Sequence, residues 1–248
     1  MTDARVVLVT GAAGGIGRVF ARALAEHGYA VAIADLAPTT EVVAEIESLG
    51  CEAIGCEVDV SDRGSTESMV NRVVERFGRI DGLVNNAAYY TSIEKKQFDQ
   101  LSVEEWDRCF AVNVRGSWLC AAAVAPVMRD QGRGKIVNVS SMTVPTAPPG
   151  FAHYVSSKAA IVGLTRALAR ELGEAGICVN TLTPDYIAFD RDYDNRQPEM
   201  TSMLTSQRSL RRPAQATDLV GTLLYLLGSG SDFVTGQNIW VNGGRAFS

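Results

Sequence analysis

Short runs of aliphatic and β-branched residues recur along the chain, separated by longer stretches with helical spacing. RVVLVT (5–10), AVAIAD (30–35), EAIGCEVD (52–59), GLVNN (82–86), KIVNVS (135–140), ICVNTLTP (177–184) and NIWVNG (238–243) read as strands. Most are apolar nearly throughout rather than alternating, the pattern of strands buried on both faces. Segments near 15–28, 40–50, 62–77, 103–131, 154–174 and 214–227 place apolar residues at helical intervals. Strand–helix alternation predicts an α/β fold with helices on both faces of a parallel sheet. Right-handed crossovers make it a Rossmann-like doubly wound sheet of about seven strands, with ligands at the strands' carboxyl ends. Neither repeats nor linker-like tracts interrupt residues 1–248, so one domain is expected. One segment breaks the alternation. Residues 185–213 form a long charged connection, read either as a substrate lid or as a disordered loop.

Composition narrows the function classes. The chain has 248 residues, 46% of them apolar and 21% charged, enough to bury a substantial core. A net charge of −5 and the absence of basic runs argue against a nucleic-acid partner. No apolar run is read as approaching the roughly 20 residues of a membrane span. MTDARVVLVTG leads straight into a strand without a signal peptide, so a cytoplasmic location is expected. The five cysteines, Cys51, Cys56, Cys109, Cys120 and Cys178, form no CxxC pair and are expected to be reduced core residues; no metal is expected.

The first strand runs into TGAAGGIG, residues 10–17. Glycines let the backbone turn tightly and approach a pyrophosphate at the positive end of the following helix. The spacing is TGxxxGxG rather than GxGxxG, because residue 13 is alanine. The second strand ends in Asp35, where a carboxylate can accept hydrogen bonds from both adenosine ribose hydroxyls and would repel a 2′-phosphate. With no arginine or lysine at 14 or 36 to offset that repulsion, NAD is favoured over NADP. A helix-flanking role for Asp35 is the plainer alternative. Asp59, with Val60 after it, lies at the end of the third strand and is placed to reach the adenine edge.

In FAHYVSSKAA, Tyr154 precedes Lys158 by one helical turn. A free tyrosine titrates near pH 10, and a neighbouring cation favours its phenolate. The spacing by itself also fits an ordinary helical pair with the lysine in solvent.

Together these elements resemble the short-chain dehydrogenase/reductase family over residues 5 to about 244. TGAAGGIG is similar to its cofactor turn, NNAA (85–88) to its NNAG element, and Asn113 in FAVNVRG to its helical asparagine. Ser141, Tyr154 and Lys158 match its catalytic serine and YxxxK, and TGQNIWVNGG resembles its closing TGQxxxVDGG. The resemblance implies an NAD-dependent oxidoreductase. Tyr154 would be general acid/base, Lys158 would bind the nicotinamide ribose and, with the cofactor's positive ring, depress the tyrosine pKa, Ser141 would donate to the substrate oxygen, and Asn113 would hold a relay water. Bringing the phenol from about 10 to near 7 needs roughly 4 kcal/mol. The implied cofactor contacts are Gly11, Gly14, Gly15, Ile16, Gly17, Asp35, Leu36, Asp59, Val60, Asn86, Ala87, Tyr154, Lys158, Pro184 and Ile187. Three residues depart from the pattern: Ala88 for the last glycine of NNAG, Asp185 for the glycine after Pro184, and Asn242 for the aspartate of VDGG.

By the same resemblance the substrate pocket is lined by Tyr89, Tyr90, Met142, Thr143, Val144, His153, Asp185, Tyr186 and Ile187. This aromatic and aliphatic mix suits a medium-sized cyclic or aromatic secondary alcohol or ketone. ADLAP and His153 are also similar to aryl-alkyl carbinol dehydrogenases of the family. A second reading takes Asp185, Asp190, Asp192, Asp194, Arg191, Arg196 and Arg208 as binding a sugar or polyol. Acyl-carrier thioester reduction ranks lower because Asp35 disfavours NADPH. A non-catalytic NAD-binding sensor is the reading from another class. Small residues on the helices at 103–131 and 154–174 suggest a homo-oligomer, dimer or tetramer, as in the family.

Overall fold

The computed structural model describes residues 4–187 and 198–247. Seven strands, β1 (Val6–Thr10), β2 (Ala30–Asp35), β3 (Ala53–Glu57), β4 (Gly82–Asn85), β5 (Gly134–Val139), β6 (Ile177–Pro184) and β7 (Asn238–Val241), form one sheet in the order 3-2-1-4-5-6-7. All six pairings are parallel; Val7, for instance, pairs with Val31 on one side and Gly82 on the other. The predicted fold class is borne out.

Strands buried on both faces need two helical layers, and the sequence provides them. On one side, α3 (Arg63–Phe77), α5 (Ser117–Gln131) and α7 (Ala152–Leu172) pack Met69, Val73, Val124, Met128 and Leu172 against Leu8, Leu83 and Ile136. On the other, α1 (Gly15–Glu26) and α2 (Thr40–Ser48) bring Phe20, Leu24 and Ile46 to Val7, Val9 and Ile33. The strand ends opposite the glycine turn are tied by Asp81, which accepts from Val6 N at 2.9 Å and pairs with Arg79 and Arg133. Burial opposes ionisation of this carboxyl, but Arg79, the Val6 amide and Arg133 hold it below the usual carboxylate range.

Several boundaries differ from the expected ones. The third strand is shorter, because Asp59 leaves the sheet to form a turn with Ser61. The expected helix 103–131 is three pieces: α4 (Val103–Phe110), a π-helical turn at Ala111–Gly116, and α5. As one length of 29 residues it is long and apolar enough to cross a membrane, contrary to the reading above. Its Cys120, Ala121, Val124 and Met128 are nevertheless spent on the core. The short α6 (Thr143–Thr146) precedes α7, which starts at Ala152 and so puts Tyr154 in its first turn. Within the long connection, α8 (Pro198–Ser206) is followed by a parallel bridge between Ala214 and Ile187. The last helix, α9 (Val220–Leu227), begins late, after a 3-10 turn at Ala216–Leu219. Asp190, Arg191, Asp192, Asp194 and Arg196 lie outside the described residues.

Candidate active site

The turn between β1 and α1 is an interlock of backbone and one amide side chain. Gly11 and Gly15 have φ of 65° and 54°, which favours glycine. A Cβ on Gly17 would lie 2.1 Å from Gly11 O, and one on Gly11 would lie 2.7 Å from Ala87 Cα. Asn86 Nδ2 donates to Thr10 O at 3.0 Å and Gly11 O at 2.9 Å. The Asn86 and Ala87 amides both donate to Thr10 Oγ1 at 3.1 Å. Gly14 and Gly15 face the other way, into open space with nothing within 4 Å of a Cβ. No side chain caps the first turn of α1 and no acidic residue lies in it, so its amides face that space. Ile16 packs back on the core. This cradle fits a pyrophosphate.

Asp35 accepts from Ala13 N and Ala37 N, each at 2.9 Å, which fixes its carboxylate beside the same turn. Leu36 is 70% exposed. Asp59 Oδ1 accepts from Ser61 N at 2.9 Å and Ser61 Oγ at 2.7 Å, so this oxygen serves its own turn. Val60 is buried, and its side chain would be 2.8 Å from a Cβ on Gly116. A residue on α3 escaped the sequence reading. Arg72 of α3 lines a groove of 370 Å³ with Leu36, Pro38, Thr39 and Glu57, its Nη2 donating to Gly55 O at 3.1 Å. Only the β2–β3 register brings this cation near residue 36.

Tyr154 and Lys158 are both buried on α7, with the lysine Nζ 5.8 Å from the tyrosine ring centroid. Lys158 Nζ donates to Val139 O at 2.8 Å, and Ser140 Oγ donates to Lys158 O at 2.8 Å, so the end of β5 grips the lysine twice. Ser141 follows directly, and its hydroxyl favours ionisation of the Tyr154 phenol. The chain's own groups do not by themselves depress the tyrosine pKa; the expected depression also draws on the cofactor's positive ring. Burial pushes the phenol well above its ordinary value, the Ser141 hydroxyl only partly opposing it, and burial brings Lys158 down to about 8. Both groups are driven toward their neutral forms, because each loses hydration.

Asn113 sits in the π-helical turn, 1% exposed. Its Oδ1 accepts from Tyr89 N at 2.7 Å, and its Nδ2 donates to Ser157 Oγ at 3.0 Å. Ser157 Oγ in turn donates to Tyr154 O at 2.8 Å. The carboxamide is thus a strut between residue 89 and α7, while the expected holding of a relay water needs a free lone pair. Its main-chain oxygen, which accepts from Ser117 Oγ at 2.9 Å, keeps a second lone pair for that purpose.

Around the phenol, Tyr90 lies 5.0 Å away and Phe151 6.4 Å away, centroid to centroid. Phe151 was not anticipated; its only signal was its place three residues before Tyr154. Thr143 and Val144 turn their amides onto Ser141 Oγ and Ser141 O, at 3.1 Å each. Of the other expected pocket residues, Tyr89 has its ring in a further contact, His153 has a buried Nδ1 without a hydrogen-bond partner, and Tyr186 is tied through its backbone. The Tyr89 ring lies under the Arg108 guanidinium at 5.1 Å. His153 is 2% exposed, and burial lowers its pKa, with Glu105 and Lys96 as its charged neighbours. Tyr186 O accepts from Arg208 Nη2 at 2.9 Å.

Asp185 is the main correction. Expected to offer a carboxylate to the substrate, it is fully buried between Arg208 Nε at 2.8 Å and Arg245 Nη1 at 2.7 Å. The polar-lid reading loses Asp185 and Arg208 to each other. Pro184 O accepts from Met142 N at 3.0 Å, which joins the end of β6 to the Ser141 turn. Asn242 is structural, accepting from Gly244 N at 2.9 Å and donating to Ala246 O at 2.7 Å.

A doubly wound sheet with a pyrophosphate cradle, a strand-end carboxylate and a buried Ser–Tyr–Lys group defines a nicotinamide-dependent oxidoreductase. The sequence profile described as enoyl-(acyl carrier protein) reductase matches residues 11–246. The chain is 37% identical to the 3-oxoacyl-(acyl-carrier-protein) reductase FabG of Staphylococcus aureus, covering 98% of this chain and 99% of the relative. It is also 37% identical to the BbsD subunit of (2S)-((R)-hydroxy(phenyl)methyl)succinyl-CoA dehydrogenase from Thauera aromatica, covering 98% and 96%. NAD+-bound xylitol dehydrogenase superposes with a TM-score of 0.90 at 31% identity, covering 97% and 98%. A Beutenbergia cavernae structure with NADP at low occupancy gives 0.89 at 31%, covering 98% of each chain. The chain belongs to the short-chain dehydrogenase/reductase family.

Proposed function

We propose that the protein is an NAD-dependent dehydrogenase/reductase of medium-sized secondary alcohols and ketones with a cyclic or aromatic group. The observation that carries this reading is the apolar ring cluster at the phenol, Tyr90 and Phe151 about Tyr154, combined with the withdrawal of Asp185 into an ion pair. A substrate beside Tyr154 meets aromatic faces and finds no lid carboxylate at residue 185. The Thauera relative, named for a CoA thioester that carries a phenyl-bearing alcohol, is in keeping with the aromatic group and equally with a thioester substrate.

The nicotinamide, when bound, supplies hydride transfer. Asp35 receives the adenosine ribose and repels a 2′-phosphate, while the amides at Gly14 to Gly17 hold the pyrophosphate. Ser141 donates a hydrogen bond to the substrate oxygen. Tyr154 exchanges the proton of that oxygen. In a buried phenol the proton is firmly held, which suits donation to a carbonyl; alcohol oxidation needs added positive charge nearby, and Lys158 is the chain's own source. Asn113 and Ser157 keep α7 in register with residue 89. A homo-oligomer through α5 and α7 remains part of the proposal.

Reduction of an acyl thioester is the second reading, favoured by the identity to FabG. Absorbance-monitored turnover separates them. NAD and NADP are each offered with aryl or cyclic secondary alcohols, polyols and hydroxyacyl thioesters, with Tyr154→Phe as the blank. Turnover with NAD on the first group is expected; preference for thioesters with NADP would replace this reading with the second.

A further inference from the structure

Asp185 is a costly choice at its position. A buried carboxylate must be taken out of water, and a buried ion pair seldom adds net stability over apolar packing. Here one carboxylate with no exposed surface is shared by guanidiniums 23 and 60 residues further along the chain. What they hold together is informative.

Each arm leads to the turn that carries Ser141. Asp185 begins where β6 ends, and Pro184 O accepts from Met142 N at 3.0 Å, one residue past Ser141. On the Arg245 side, Gly244 N donates to Asn242 Oδ1 at 2.9 Å and Asn242 Nδ2 donates to Ala246 O at 2.7 Å. The flanks of Arg245 are therefore folded onto Asn242, whose Nδ2 also approaches Met142 Sδ at 3.6 Å. On the Arg208 side, Leu210 N donates to Gly243 O at 2.9 Å and Ser209 Oγ to Gly244 O at 3.1 Å. Met142 is thus gripped from β6 through its amide and from the 242–246 turn through its sulfur, and both grips close on one carboxylate.

We propose that Asp185, through Arg208 and Arg245, is a positioning residue for Ser141: the buried cluster clamps the end of β6 and the turn after β7 onto Met142, and so aims the Ser141 hydroxyl at the Tyr154 phenol. The kinetic part of this inference rests on the roles proposed above for Ser141 and Tyr154; the geometric part does not.

The test uses the full chain with Asp185→Asn and Arg245→Gln, and Ser141→Ala as reference. Asp185→Asn leaves two guanidiniums around a neutral amide and can unfold the protein. Arg245→Gln removes only the more exposed arm, 15% accessible, and is the variant that decides if the first fails to fold. The first readout needs no substrate: the NMR resonance of the Tyr154 phenol carbon in tyrosine-labelled protein, identified by its loss in Tyr154→Phe. Both variants are expected to move it in the direction that Ser141→Ala moves it. The second readout is kinetic. Turnover is expected to fall about tenfold with KM for NAD unchanged, and the alkaline rise of alcohol oxidation to shift upward by about half to one pH unit, since the Ser141 hydroxyl supports the phenolate less. Folded variants with an unmoved Tyr154 resonance and a wild-type pH profile would overturn the proposal. A moved resonance in a protein that turns over none of the substrates would uphold the clamp and overturn only the proposed activity.

Discussion

Lys158 Nζ donates a 2.8 Å hydrogen bond to the carbonyl oxygen of Val139, so the ammonium at the phenol is held by the last residue of a central strand. A carbonyl can accept from the charged or the neutral amine. It therefore keeps the lysine in place while burial brings its pKa down to about 8.

That shift predicts a pH dependence of stability. The folded pKa is lowered, so between about 8 and the ordinary 10.5 the unfolded chain holds a proton the folded protein has released. Stability then rises with pH across this window. Lys158→Met removes the titration, and the wild type should gain on the variant by roughly 2 to 3 kcal/mol between pH 8 and 10. Urea unfolding at a series of pH values measures the difference; a flat one would contradict the burial argument.

Gly17→Ala should be destabilising, because its Cβ would meet the fixed Gly11 oxygen at 2.1 Å. Overpacking of this kind costs about 1–3 kcal/mol, or several degrees in melting temperature for a chain of this size. Gly14→Ala, with nothing within 4 Å, should melt near the wild type yet bind NAD more weakly. Calorimetry for both properties distinguishes packing from cradle.

Cofactor choice should pivot on Asp35 and the unanticipated Arg72. Asp35→Ser is expected to lose NAD affinity and gain NADP affinity, each by about tenfold. Adding Arg72→Ala should withdraw the NADP gain, since that guanidinium lines the groove beside Leu36. Titration with 2′-AMP reads the effect without turnover. An NADP gain that survives the second change would exclude Arg72.

Phe151→Ala should raise KM for aryl alcohols by about tenfold, and less for small aliphatic ones, since the lost contact is mainly aromatic. Steady-state kinetics on matched substrates measures it. Equal effects on both would place the ring in packing alone.

The fold was legible because parallel strands are written as unbroken apolar runs, and AVAIAD or ICVNTLTP has few other uses. The turn at residues 10–17 was equally plain. The pocket was not. Sequence order put Asp185 beside Pro184 and left its partners, Arg208 and Arg245, in segments with no visible link to it. An exposed-looking charge became a buried ion pair because two distant turns close over β6. The surroundings of Tyr89 were hidden for a related reason: Asn113 holds its backbone and Arg108 on α4 lies over its ring. Arg72 shows the converse, a surface helix residue made relevant by strand register alone.

The place of β1 in the sheet also bears on how the chain is made. Val6–Thr10 precedes the other six strands in sequence but lies between β2 and β4, and Val6 N waits for Asp81, 75 residues later. Until β4 has emerged from the ribosome, VVLVT has one open edge and one unfilled face, the state in which strands aggregate. The dinucleotide turn cannot close earlier either, because its lock is Asn86. The lock on the turn therefore arrives only with the end of β4, and a nascent chain stalled before residue 86 would be a client for chaperones.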